Sequence, residues 1–138
     1  MKLKYKYRIL IADVDDEILS ALKTLLEQEG YAVETAKRAI DAFEKIQNDK
    51  YHIVIIDMDM PDMNGIELLK EIKSYDALTQ VIMTAGNSTM EKILGSLEYG
   101  ANDYIMKPFE SMEHVKNIVE CSIRKLERWT EAIVKIVE

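Results

Sequence analysis

The sequence has 138 residues, enough for one domain of ordinary size with a real core. It is 48% hydrophobic and 31% charged, as folded globular chains usually are. A net charge of −7 speaks against gripping nucleic acid or an anionic membrane by the overall field, and no apolar run approaches the roughly 20 residues of a bilayer span.

The chain opens on KLKYKYR (2–8), a basic stretch followed by a strand rather than by the hydrophobic region of a signal peptide. ILIA (9–12) is apolar throughout, as suits a strand covered on both faces, and Asp13, Val14, Asp15 and Asp16 follow it. Three carboxylates so close repel one another unless a positive group or water screens them. Asp15 and Asp16 precede a helical stripe of Ile18, Leu22, Leu25 and Leu26, which predicts helix caps, since carboxylates favour a helix N-terminus. Gly30 should stop that helix before a strand begun by YAV (31–33). A second stripe, Ala39, Ala42, Phe43 and Ile46, leads to IVII (53–56), which ends in Asp57 and a Pro-containing turn. Asn64 with Glu67 imitates capping-box spacing ahead of Ile66, Leu69 and Ile72. VIM (81–83) runs into Thr84, and Ser88 with Glu91 predicts a cap for the stripe Ile93, Leu94 and Leu97. Gly100 should end this helix before YIM (104–106), with Lys107 and Pro108 behind it.

From about Ser111 to Val137 no Pro or Gly interrupts the chain, about twice the usual helix length. Val119, Ile123, Leu126, Thr130, Ile133 and Val137 step by alternating four and three, the spacing of a coiled-coil seam. The first half should pack on the sheet. The second half, with Trp129, reads as a dimerisation helix or a linker, or else as a helix folded back on its own domain. Residues 1–123 are therefore the expected domain and 124–138 its helical extension. The one cysteine, Cys121, cannot form an internal disulfide and fits a reducing cytoplasm; its helical setting predicts a buried or half-buried thiol. Strands and helices alternating in five units predict an α/β fold on a parallel sheet, with no repeat and no low-complexity tract.

In such a sheet, ligands bind at the carboxyl ends of the strands. Asp13, Asp57, Thr84 and Lys107 would gather at that rim. Two or more carboxylates with water make a hard oxygen site of the kind Mg²⁺ prefers, a lysine offsets charge, and a hydroxyl can donate to an anion. This set would stabilise a phosphoryl group passing onto Asp57, because phosphoryl transfer needs mainly positioning and charge neutralisation.

ILIAD with its trailing acids, EGYAVETA, IVIIDMDMPDMNGIELL, VIMTAG and YGANDYIMKPF occur in that order. Together they resemble the receiver domain of two-component response regulators over about residues 7 to 123. The resemblance implies a doubly wound, CheY-like five-stranded parallel sheet of order 2-1-3-4-5 flanked by five helices. It implies a cytoplasmic phospho-accepting signalling domain, which catalyses at most its own phosphorylation and dephosphorylation. Asp57 then looks like the phosphoacceptor, charged by a histidine kinase or phosphotransfer protein. Thr84 resembles the hydroxyl that turns inward on phosphorylation, Lys107 the cation paired with the phosphoryl oxygens, and Tyr104 the switch aromatic. The Lys107–Pro108 peptide is expected to be cis, and Mg²⁺ to rest on Asp13, Asp57 and the backbone carbonyl of Asp59.

One departure stands out. The family usually has two adjacent acids after the first strand, the second binding the metal directly, and here Val14 holds that second place. A side chain without oxygen cannot ligate Mg²⁺. Either Asp13 binds the metal itself, or a bulge brings Asp15 in, or the site is weak or empty; the reading adopted is a surviving but weakened site. Asp59 adds further negative charge beside it.

His52 and His114 carry no partner pattern and read as structural or solvent-facing, and the methionines, Met58, Met60 and Met63 included, mostly as packing. Asp57-Met58-Asp59 and Asp13-Val14-Asp15 satisfy the DxD core of a Mg²⁺-dependent phosphatase, but Pro61 and Glu17 stand where Thr or Val belongs. A flavin site would need a Ser/Thr/Gly-rich loop after the first strand, which is missing. The remaining rival is a degenerate receiver, a binding module that works without phosphorylation. This segment itself is expected to contact neither nucleic acid nor membrane.

Overall fold

A computed structural model describes residues 7–137; most of the basic opening stretch and Glu138 lie outside them. Among the described residues five strands and five helices alternate: β1 (Arg8–Ala12), α1 (Asp16–Gln28), β2 (Ala32–Ala36), α2 (Ala39–Asn48), β3 (Ile53–Asp57), α3 (Gly65–Tyr75), β4 (Gln80–Ala85), α4 (Met90–Glu98), β5 (Asp103–Met106) and α5 (Met112–Val137). The strands pair in parallel, as the alternating pattern predicts, in the order β2-β1-β3-β4-β5, the doubly wound arrangement that the family resemblance implies.

The three inner strands, β1, β3 and β4, are buried almost throughout because both of their faces are covered, whereas the edge strands β2 and β5 each keep exposed positions. Leu10, Val54, Ile56, Val81 and Met83 pack on Ala42, Ile46, Leu69 and Ile72 of α2 and α3. Ile9, Ile11, Ile53, Ile55 and Ile82 face the other way, onto Leu22 and Leu26 of α1 and Val119 and Ile123 of α5. Alternate residues of one strand thus serve two cores, which is why the runs carry no polar positions. Several local signals hold. Asp15 is the N-cap of α1, its carboxylate accepting from the amides of Glu17 and Ile18, and Asp16 lies in the first turn. Asn64 caps α3 through the Ile66 amide. Gly30 and Gly100 end their helices at φ 96° and 91°, a conformation that costs other residues energy.

Three expectations need correction. Thr89, not Ser88, caps α4, its hydroxyl accepting from the Lys92 amide; Ser88 instead shares a hydrogen bond with Tyr104. Of the predicted α4 stripe, Leu94 and Leu97 are exposed. The helix leans on its neighbours through small residues instead: Ser96 is its one buried residue, and a Cβ on Gly95 would sit 2.7 Å from Ile66 Cδ1. Cys121 is exposed, because the buried face of α5 is carried by Val119, Ser122, Ile123 and Leu126. α5 itself divides as expected, its first half packing on the sheet. Val119, Ile123 and Leu126 are spent on the domain's own sheet, whereas Trp129, Ile133, Ile136 and Val137 face water beyond it. Among the described residues no helix is long and apolar enough to cross a membrane.

Candidate functional site

Strand register brings the chemistry together. Ala12 lies beside Ile56, Asp57 beside Thr84, and Thr84 beside Ile105, so the residues ending β1, β3, β4 and β5 share one rim. Asp13 and Asp57 are 2% and 5% exposed there. Lys107 Nζ donates to Asp13 Oδ2 at 2.7 Å and lies 3.6 Å from Asp57 Oδ1. The peptide after Lys107 is cis, and the Lys107 amide donates to Ala85 O at 2.8 Å, fixing where its ammonium enters. Thr84 Oγ1 donates at 3.4 Å to the carbonyl of Ile56, the residue before Asp57. The turn after Asp57 is held in place by Met58 N donating to Thr84 O at 2.7 Å and by the Asp59 amide donating to Asp57 Oδ1 at 3.2 Å.

Burial pushes the Asp57 carboxyl above the usual carboxylate range, and the nearby Asp13 charge adds to this; the Asp59 amide and the Lys107 ammonium oppose it. Lys107 is therefore the counter-charge that lets two buried carboxylates sit side by side. With Asp59 included, three carboxylates meet the two ammoniums of Lys107 and Lys92, leaving the rim short of positive charge. The paired carboxylates of Asp13 and Asp57 are hard oxygen donors in negative excess, the chemistry that suits a divalent cation such as Mg²⁺. The set is lean. Among the described residues no cluster of three His, Cys, Asp or Glu side chains is close enough to hold a metal. Val14 is 40% exposed and offers nothing. Asp15 does not replace it: its carboxylate is turned onto the α1 amides, and its own amide is tied to Asp13 Oδ1 at 2.9 Å.

Tyr104 on β5 is half-buried against the α2–α3 core, and its hydroxyl shares a 3.0 Å hydrogen bond with Ser88 Oγ in the β4–α4 loop. Three participants escaped the sequence reading. Lys92 of α4 reaches the turn after Asp57, its Nζ donating to Asp59 Oδ1 at 2.9 Å across 33 residues. Asp62 caps α2 from the loop behind Asp57, accepting from the amides of Ala39 and Ile40 at 3.0 Å each. Gly65 lets α3 begin against the turn after Asp57, where a Cβ would meet Met58 Cα at 2.7 Å. No sequence period announces the first two. The Asn-Gly pair at 64–65 was the one available hint of the third.

A groove of about 710 Å³ lies at the opposite end of the sheet, bounded by Tyr7, His52, Leu126, Thr130 and Val134. It holds none of the rim chemistry. His52 there is structural, as expected, its Nδ1 accepting from the Arg8 amide at 3.0 Å.

Comparisons with known proteins agree with the geometry. The family model for the response regulator receiver domain matches residues 9–120. A CpxR homologue described as a transcriptional regulatory protein, from Haemophilus influenzae, is 40% identical over 111 residues, covering 80% of this chain and 48% of that protein. The alkaline phosphatase synthesis transcriptional regulatory protein PhoP of Bacillus subtilis is 34% identical over 121 residues, covering 87% and 50%. The chain thus spans about half the length of the curated relatives it matches. The crystal structure of a CheY-like receiver domain protein from Methanospirillum hungatei superposes with TM-score 0.86 at 35% identity, covering 88% of this chain and 97% of that one.

Proposed function

This chain belongs to the response regulator receiver domain family, and from that premise we propose that it accepts a phosphoryl group on Asp57. One observation carries the reading: the buried Asp57 carboxylate lies beside both the Lys107 ammonium and the Thr84 backbone, at the rim where the fold places ligands. A phosphohistidine on a histidine kinase or phosphotransfer protein is the donor. A carboxylate oxygen of Asp57 bonds to phosphorus as the P–N bond breaks, and the freed imidazole takes a proton from solvent. Lys107, already within 3.6 Å of Asp57, neutralises a new phosphoryl oxygen, and Thr84 Oγ1 gives up Ile56 O to donate to another. Asp13, Asp57 and the Asp59 carbonyl would hold Mg²⁺, whose bound charge offsets that of the phosphoryl oxygens.

Once Thr84 has moved, Tyr104 can leave Ser88 and swing inward. That changes the face of α4 and β5, where Met90, Leu94, Leu97 and Met106 stand exposed as contacts for a partner. Residues 1–123 form the receiver, and 124–138 serve as a linker or as a dimerisation helix through the exposed Trp129, Ile133 and Ile136. A DNA-binding part belongs to the proposal only for a longer protein, as the names of the relatives suggest for themselves.

The test is intact-mass measurement after incubation with a small phosphodonor, with and without Mg²⁺. The parent should gain one phosphoryl group, Asp57→Asn none, and Val14→Asp should gain it at lower Mg²⁺. Uptake undiminished in Asp57→Asn would overturn the assignment.

A further inference from the structure

Val14 removes an oxygen ligand from the rim, yet the acceptor turn carries an additional carboxylate, Asp59, whose place in the family pattern calls only for its backbone carbonyl. That carboxylate is already engaged. Asp59 Oδ1 accepts from Lys92 Nζ at 2.9 Å, and the same Nζ donates to Asn87 O at 2.9 Å. Lys92 stands in the first turn of α4, where its amide donates to the Thr89 cap at 3.2 Å. One ammonium therefore ties together the acceptor turn, the β4–α4 loop and the start of α4. A cleft of about 320 Å³ between these segments, bounded by Met58, Asp59, Asn64, Thr89 and Lys92, leaves the Asp59 side chain room to turn.

We propose that the Asp59 carboxylate is the oxygen ligand that replaces the missing acid at position 14, and that Lys92 is a positioning residue competing with the divalent ion for it. The inference rests on the reading that Asp13 and Asp57 hold Mg²⁺. The Asp59 amide donates to Asp57 Oδ1, so its Cα already flanks the acceptor carboxylate and side-chain rotation alone redirects its oxygens. The competition favours the ion. An ion pair with side chains 28% and 48% exposed is worth little, whereas a divalent ion doubles the charge that the carboxylate meets. When the ion takes Asp59, Lys92 keeps only Asn87 O, and α4 loses its tie to the acceptor turn. Ion binding would in this way loosen the helix that presents Met90, Leu94 and Leu97.

The experiment is a Mn²⁺ titration followed by electron paramagnetic resonance, on the parent, Lys92→Met, Asp59→Asn and the double variant, with Asp57→Asn alongside. Lys92→Met should tighten Mn²⁺ by about threefold, the worth of an exposed pair. Asp59→Asn should weaken it by about tenfold through loss of a charged ligand. In the Asp59→Asn background, Lys92→Met should change affinity by less than about twofold, because only screened repulsion remains. Equal gains in both backgrounds would show plain repulsion by Lys92 and overturn the competition, as would an unchanged affinity in either single variant. Asp57→Asn must itself weaken Mn²⁺; if it does not, the ion lies elsewhere and the reading beneath fails instead. Mg²⁺ should also shift the amide resonances of residues 90–94 in the parent and leave them unmoved in Lys92→Met.

Discussion

Replacing Asp62 tests whether a side chain from the acceptor loop supports a helix that cannot cap itself. The residue at the N-cap of α2 is Arg38, which makes no side-chain cap hydrogen bond. Asp62 accepts there with both oxygens, from Ala39 N and Ile40 N at 3.0 Å each, and its side chain is 20% exposed. Loss of a cap costs typically about 1 kcal/mol, and partial exposure argues for that value rather than the upper range. Asp62→Ala should therefore lower stability by about 1 kcal/mol near neutral pH, or about 3 °C in midpoint for a chain of this length. Asp62→Asn keeps one acceptor oxygen and should lose about half as much. Hydrogen bonds from the Ile40 and Ala39 amides hold the Asp62 carboxyl below the usual carboxylate range. A depressed folded value means that the unfolded chain binds the proton more readily. The stabilisation is then complete above the unfolded value of about 4 and disappears as pH falls through the lower folded value. Urea unfolding by circular dichroism, run at neutral pH and at stepwise lower pH, measures the gap between parent and Asp62→Ala. Identical midpoints at neutral pH, or a gap that stays constant into acid, would refute the cap.

Two further predictions join the phosphoryl-uptake test. Gly65→Ala should lose about 1–3 kcal/mol, even though alanine is the better helix former by about 1 kcal/mol, because its Cβ meets the backbone of Met58 at 2.7 and 2.9 Å. A urea midpoint equal to or above the parent's would mean that the acceptor turn yields freely. Tyr7 Oη donates to Glu127 Oε2 at 2.6 Å, joining the start of β1 to α5; burial, then that bond and its charge, push the phenol up to about 12. Here the folded value is raised from 10.0, so the stabilisation is complete below pH 10 and lost as pH rises through about 12. The difference in ultraviolet titration between parent and Tyr7→Phe should show a late phenol, and one ionising near 10 would sink the argument.

What a single segment needs for itself was legible in the chain. Strand runs apolar on every position announced a sheet covered on both faces. Asp15 and Asn64 announced their own helix starts, and the order of acids, hydroxyl and lysine announced the rim. Val14 was equally plain, since an alkyl side chain has no oxygen wherever it lies. The structure alone decided which distant groups meet. Lys92 reaches Asp59 over 33 residues and Asp62 caps α2 from 22 residues further along, and periodicity carries no information about such pairs. The same limit misplaced the α4 stripe and Cys121. A helical pattern shows which side chains share a face, but whether that face meets a sheet or water depends on how far neighbouring layers extend. For α4 the contact is made by Gly95 and Ser96, and its larger apolar side chains were left for a partner or for solvent.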